Sequence, residues 1–255
     1  FHNLLMIGPP GAGKSMIASR IPGILPSMTE EEAIELSAIY SVIGKLPPNG
    51  SLIRERPFRA PHHTITAKAL CGGGTIPGPG EISLAHCGVL FLDELPEFHR
   101  ETLEVLRQPL ENGSMQIHRC GYTYDFPAQF MLVAAMNPCP CGFYPNLSRC
   151  HCSYTAVRRY QEKISMPLLD RMDMMIEVSA LSYPQWNQKT QEMSSTQMKK
   201  KVERVREIQK ERRKSQSFLF NSRMGNQELE EYCALGTQEK KLMKKAFDEL
   251  KISAR

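Results

Sequence analysis

The 255-residue sequence contains no apolar run approaching the roughly 20 residues that a membrane-spanning helix needs. Its longest such stretches, around Asn3 to Ile7 and from Phe130 to Met136, fall far short, so no membrane partner is expected. The chain also lacks an initiating Met, a basic leader and a small-residue cleavage site. It therefore reads as a trimmed fragment without a secretion signal, its flanking domains missing. No internal repeat and no base-reading element is visible. Disorder is excluded by ordinary globular content, 41% apolar and 23% charged. Eight cysteines could form disulfides, but a chain this long builds its own core, and in cytosolic enzymes such clusters more often hold metal. A cytoplasmic location is expected.

The net charge of +5 is mild, and its distribution says more than its size. From Lys199 to Lys214 there are nine Lys or Arg against three Glu. Glu203, Glu207 and Glu211 recur at helical spacing, so the run reads first as a solvated helix face and second as an anion or nucleic-acid surface.

Short β-like runs alternate with helical stretches, the pattern of an α/β fold in which helices flank a parallel sheet. Leu4 to Ile7, Val89 to Leu92, Phe130 to Ala135 and Met174 to Val178 read as buried strands. Glu111 to Pro127 reads as a hairpin with His118 and Arg119 at its tip. The Pro/Gly-rich stretch Gly72 to Gly80 reads as a functional loop or insertion. Beyond Leu181 the sequence turns helical and rich in Gln, Lys and Glu. The expected division is a core over residues 1–181 and a helical linker with a partial, truncated C-terminal lid over residues 182–255.

Gly8-Pro9-Pro10-Gly11-Ala12-Gly13-Lys14-Ser15 fits the G-x-x-x-x-G-K-[ST] phosphate-binding loop, following an apolar strand and opening a helix-like run. The glycines let the backbone curl until its N–H groups face phosphate oxygens, and the helix adds its positive end. Lys14 would hold the β- and γ-phosphates of ATP. Ser15 offers a hydroxyl to Mg²⁺, which prefers oxygen ligands. Chance could supply this string alone. However, Val89 to Leu92 is an apolar strand ending in Asp93-Glu94, which puts Asp93 beside the magnesium and Glu94 where it can polarise a water. A lone Asp-Glu pair would be surface decoration.

Cys139-Pro140-Cys141 and Cys150-His151-Cys152 supply four thiols, enough for one tetrahedral, structural Zn²⁺. Three other readings stay open: His151 replacing one cysteine, unliganded buried thiols, or a disulfide. Cys71, Cys87, Cys120 and Cys233 are scattered and read as small core or surface residues. Neighbouring His62 and His63 point to different sides of an extended chain, which favours packing or loop hydrogen bonds over metal.

Several longer stretches carry a family resemblance: Arg59-Ala60-Pro61-His62-His63, Gly72-Gly73-Gly74, Pro79 to His86, Leu92 to Phe98, Asn137-Pro138-Cys139-Pro140-Cys141-Gly142 and Leu168-Leu169-Asp170-Arg171. In this order, from His2-Asn3 to Ser253-Ala254-Arg255, the chain resembles the AAA+ ATPases of the magnesium-chelatase-like group, and within it the branch-migration helicases of natural transformation. The resemblance implies an AAA+ P-loop fold and a homo-oligomeric, hexameric ring. It assigns Asn137 as the sensor-1 residue orienting water, Arg171 as the arginine finger given to a neighbouring subunit, and Arg255 as sensor 2 from the lid. An ion pair of Arg171 with Asp170 or Asp173 is the alternative. The helicase branch carries the cysteine cluster, which the chelatase subunits lack, and this implies a DNA motor whose hairpin, through His118 and Arg119, meets nucleic acid. A chelatase-type ATPase remodelling a partner for metal insertion into a tetrapyrrole is the runner-up, and a slow nucleotide-gated scaffold comes third.

Overall fold

The computed structural model describes residues 2–74, 77–119, 121–180, 182–183, 187, 193–212 and 221–250. The chain separates into two compact units, His2–Glu203 and Arg204–Arg255.

The first unit is built on five parallel strands: β1 (Leu4–Ile7), β2 (Phe58–Arg59), β5 (Val89–Leu92), β8 (Met131–Met136) and β9 (Met174–Glu177), in the order β2-β5-β8-β1-β9. Two short antiparallel ribbons complete its strands, β3 (Gly72–Gly73) with β4 (Gly78–Pro79), and β6 (Ser114–Arg119) with β7 (Tyr122–Pro127). Continuous apolar runs form the central strands because helices cover both faces. Leu5, Leu90, Leu92, Leu132 and Ala134 pack on one side with Leu70, Ile82, Leu95 and Leu168. Leu4, Met6, Val89, Phe91, Val133 and Ala135 face the other, against Ala18 and Ile21 of helix α1 (Lys14–Ile24). Each large buried side chain contributes about 1.5–3 kcal/mol of transfer free energy.

The expected strands β1 and β5 form as read, and β8 lies one residue further along than expected. The Met174 to Val178 stretch is a strand but not a buried one. Met174, Met175 and Ile176 are 43%, 55% and 42% exposed, because among the described residues β9 is an edge strand bonded to β1 alone. The hairpin of β6 and β7 forms as expected, pairing Ser114 with Pro127 and Arg119 with Tyr122. Cys120 lies outside the described residues.

The register sets the site. Ile7 lies opposite Met136 and Leu92 opposite Ala134, so the residues after β1, β5 and β8 emerge side by side at the carboxyl edge of the sheet. The order reverses at β1, between β8 and β9, which is where an open α/β sheet leaves a ligand crevice.

In the second unit, the helices Asn226–Tyr232 and Thr237–Leu250 follow a short 3-10 turn at Asn221–Arg223. The Gly225 N–H donates to Glu228 Oε2 at 2.8 Å and caps the first of them. The helix Ser195–Arg212, which runs across the boundary between the units, contains the described part of the basic run, Lys199 to Arg212. Among the described residues, no helix is long and apolar enough to cross a membrane.

Candidate nucleotide site and cysteine centre

Pro10 to Met16 line a cavity of about 380 Å³ together with Asp93, Glu94, Met136 and Asn137. The loop turns into α1 at Gly13, whose φ of 86° is open to glycine at little cost. Lys14 is buried, and its Nζ donates to the carbonyls of Gly8 at 2.7 Å and Pro9 at 3.0 Å and to Asn137 Oδ1 at 3.1 Å. Burial lowers its pKa from the ordinary lysine value, and the charge of Asp93 partly restores it. Ser15 Oγ donates to Asp93 Oδ2 at 2.5 Å, while the Glu94 N–H donates to Asp93 Oδ1 at 2.9 Å. The hydroxyl and carboxylate named for magnesium thus share one point, as oxygen ligands of a hard cation must.

Glu94, two residues beyond β5 and just before a 3-10 turn, lies in the left-handed region at φ 52°, uncommon for a residue with a Cβ and costing about 1–2 kcal/mol. Such a conformation turns its carboxylate away from the path of the strand. Glu94 Oε2 meets His63 Nδ1 at 3.2 Å. Sequence reasoning missed this partner. His62 does make a loop hydrogen bond, Nδ1 to Thr64 Oγ1 at 2.9 Å, and its ring lies 4.1 Å from that of His63.

Arg171 is held inside its own chain. Its Nη2 donates to Glu111 Oε2 at 2.8 Å and Nη1 to the Pro167 carbonyl at 2.7 Å, and the side chain is 9% exposed. Its partner is neither Asp170 nor Asp173, the acids nearest in sequence; Asp173 accepts instead from the Asn3 N–H at 2.6 Å. Among the described residues, Nε of Arg171 is buried without a hydrogen-bond partner. Arg255 lies outside the described residues. His118 and Arg119 are exposed at the end of the hairpin, with His118 Nδ1 3.0 Å from Thr123 Oγ1. Tyr122, 70% exposed opposite Arg119, joins them at the tip.

The four cysteines converge. Their Sγ atoms all lie within 4.8 Å of one another and are the one such group of potential ligands among the described residues. Cys139 stands 3.4 Å from Cys141 and 3.8 Å from Cys150, and Cys141 stands 3.6 Å from Cys150. Disulfides need about 2.05 Å, so these thiols are free. A tetrahedron of sulfurs about 2.3 Å from zinc has edges of about 3.8 Å, close to these separations. His151 is exposed and outside the group, leaving four thiols as the donor set. The Phe143 backbone N–H pulls the Cys141 thiol down to about 6, whereas at Cys150 the Cys152 backbone N–H is outweighed by desolvation and the neighbouring thiols, which push it up to about 12, so the crowded thiols do not all ionise together without a cation. Cys139 and Cys150 are buried with Val157, against Phe143 and Tyr144.

The loop carrying these cysteines starts directly after Asn137 and returns to the phosphate-binding loop. Gly142 is buried at φ 85°, and a Cβ there would lie 2.4 Å from Cδ of Pro10.

Comparison with known proteins follows the same lines. Residues 1–186 match the family described as magnesium chelatase, subunit ChlI, and residues 192–255 match that family's C-terminal domain. The chain is 48% identical to competence protein ComM of Haemophilus influenzae and 44% identical to the uncharacterized protein YifB of Escherichia coli, in each case over all of this chain and 49% of the relative. It is 24% identical to the magnesium-chelatase 38 kDa subunit of Acidiphilium rubrum, over 53% of this chain and 45% of that protein. The chain thus spans about half the length of the curated relatives that it matches along its whole length. With a family model covering residues 1–186 and 48% identity to one relative along its whole length, the chain belongs to the magnesium chelatase ChlI family of AAA+ ATPases.

Proposed function

We propose that this protein hydrolyses ATP with Mg²⁺ as part of a ring-forming motor that acts on DNA. One observation carries the ATPase reading: Lys14, Ser15, Asp93, Glu94 and Asn137, from three strand ends, border one cavity of about 380 Å³. Lys14 exchanges the Gly8 and Pro9 carbonyls for the β- and γ-phosphate oxygens, and the backbone N–H groups from Gly11 to Ser15, beyond the two prolines, receive the remaining phosphate charge. Ser15 Oγ and the Asp93 carboxylate, which meet at 2.5 Å, would hold Mg²⁺, and the ion would supply positive charge to the phosphates. Glu94 accepts the proton of the attacking water, which Asn137 orients against the γ-phosphate. Arg171 acts on a neighbouring subunit's phosphates and Arg255 acts from the lid. A planar, permanently charged guanidinium suits both tasks. The unpartnered Nε of Arg171 supports its reorientation on assembly.

Zn²⁺ held by Cys139, Cys141, Cys150 and Cys152 is structural in this reading, since four protein ligands leave no open position. The sulfur separations of 3.4–3.8 Å support it.

DNA as the track rests on the 48% identity to a competence protein and on the exposed hairpin tip with His118 and Arg119. The chelatase-type alternative draws on the family description and the 24% identity to a chelatase subunit, over a shorter part of the chain. Calorimetry with ADP and ATP tests the site: absent affinity in folded protein removes the whole reading. Measuring ATP hydrolysis with single-stranded or branched DNA over a salt series then separates the two tracks. Salt-sensitive stimulation by DNA is expected, and stimulation by porphyrin instead selects the alternative.

A further inference from the structure

The cysteine loop touches the nucleotide loop in a way that neither motif requires. Asn137, which accepts from Lys14 Nζ at 3.1 Å, stands two residues before Cys139. Three residues beyond Cys139, Gly142 donates its N–H back to the Cys139 carbonyl at 3.0 Å, closing the turn that carries both Cys139 and Cys141. The outer face of that turn lies on Pro10. Even the smallest side chain at Gly142 would overlap the Pro10 ring, at 2.4 Å from Cδ and 2.8 Å from Cγ. Behind it, the Tyr144 N–H points at Cys139 Sγ at 3.4 Å, and Gln161 Nε2 donates to the Pro138 carbonyl at 3.1 Å. One short segment therefore holds a residue of the lysine's hydrogen-bond set, the wall of the phosphate-binding loop and two of the four thiols.

We infer that metal occupancy of the four-cysteine centre sets nucleotide affinity, with the Gly142–Pro10 contact as the coupling element. The inference rests on the zinc reading above. A metal pulling Cys139 and Cys141 together with Cys150 and Cys152 fixes the 139–142 turn. The fixed turn supports Pro10 in the curl that presents loop amides to phosphate, and it holds Asn137 in register with Lys14. Released thiols relax the turn, and the loop loses its wall. Coupling of binding free energies is reciprocal, so a nucleotide seated on the loop must in turn retain the metal.

The test uses the whole chain as purified. Metal content is first measured; one zinc per chain is expected, and zinc-free folded protein overturns the metal reading and the inference with it. Transfer of zinc to a chromogenic chelator is then timed with and without saturating Mg-ADP. ADP is expected to slow release at least about fivefold, the lower end of usual couplings between sites. Equal release rates from zinc-loaded protein that binds ADP overturn the coupling and leave both sites standing. Gly142→Ala supplies the second arm, with a fluorescent ADP analogue as probe. The variant is expected to keep one zinc and to bind the analogue at least about fivefold more weakly. Unchanged affinity in zinc-loaded Gly142→Ala overturns the Gly142–Pro10 route.

Discussion

Nδ1 of His63 lies 3.2 Å from Oε2 of Glu94, so the proposed catalytic base already has a partner of its own. Glu94 is otherwise open, with 57% of its side chain exposed, and His63 is backed by His62 and by the edge of Phe98. The close approach of the imidazole restricts a carboxylate that would otherwise sample several rotamers. His63→Ala is expected to lower kcat about 3- to 10-fold with KM for ATP nearly unchanged, the scale of one net hydrogen bond. His63→Asn, which still offers an N–H donor, should recover most of that loss. Steady-state ATPase kinetics of both variants check it, and an unchanged kcat in His63→Ala removes the positioning role.

Glu94→Gln keeps shape and hydrogen-bonding capacity while removing the proton acceptor. ATP affinity is expected to persist while turnover falls by about 10²–10⁴, the usual contribution of a general base. Calorimetry and single-turnover hydrolysis read the two quantities separately. Near-parental hydrolysis would assign the base elsewhere.

Arg171 presents a different problem, because its guanidinium is paired inside the chain with Glu111 and Pro167. Arg171→Ala should therefore lower stability by about 1–3 kcal/mol as well as activity, since it removes a buried charged donor. Mixing separates the two effects. An Arg171→Ala subunit still has Glu94, and a Glu94→Gln subunit still has Arg171, so an assembled mixture of the two inactive variants should regain ATPase activity. No recovery in a mixture that assembles would exclude a finger shared between subunits.

Leu5 and Met175 test how far the sheet is buried. Leu5 is 1% exposed between β8 and β9, whereas Met175 on β9 is 55% exposed. Leu5→Ala is expected to cost about 2–5 kcal/mol by leaving a cavity, and Met175→Ala to stay within about 0.5 kcal/mol. Denaturant titration measures both. A large loss at Met175 would mean that the edge of the sheet is covered in solution.

His86 makes stability depend on pH. It is 1% exposed; Nδ1 accepts from the Gln129 N–H at 3.1 Å and Nε2 stands 3.1 Å from Glu35. Burial lowers its pKa from the ordinary 6.5, with Glu35 and Glu32 opposing and Arg56 assisting. The unfolded chain therefore takes up the proton first. Stability from this group is complete above about 6.5 and is lost as pH falls from there toward the folded value. Melting temperatures from pH 8 to 5 should fall more for the parent than for His86→Asn, whose carbonyl can still accept from Gln129. Equal slopes would mean that His86 binds protons equally in both states.

Sequence alone determined whatever depends on neighbours along the chain. The Gly8 to Ser15 string, the apolar run ending in Asp93-Glu94 and the Glu111 to Pro127 stretch each encode their local conformation, so the loop, β5 and the hairpin are legible in the sequence itself. Strand β2 escaped because two residues carry no periodicity, and β9 was read as buried because composition marks a strand without saying how many neighbours it has. Tertiary structure decided every distance between segments. Parallel register brings Asp93 to Ser15 across 78 positions and Asn137 to Lys14 across 123, and the alignment of strand ends makes both contacts possible. Glu111 reaches Arg171 across 60 positions, where no spacing rule chooses among the chain's acids. The same holds for His63 beside Glu94 and Gly142 against Pro10, since side-chain packing between distant segments depends on how the whole sheet and its covering helices close.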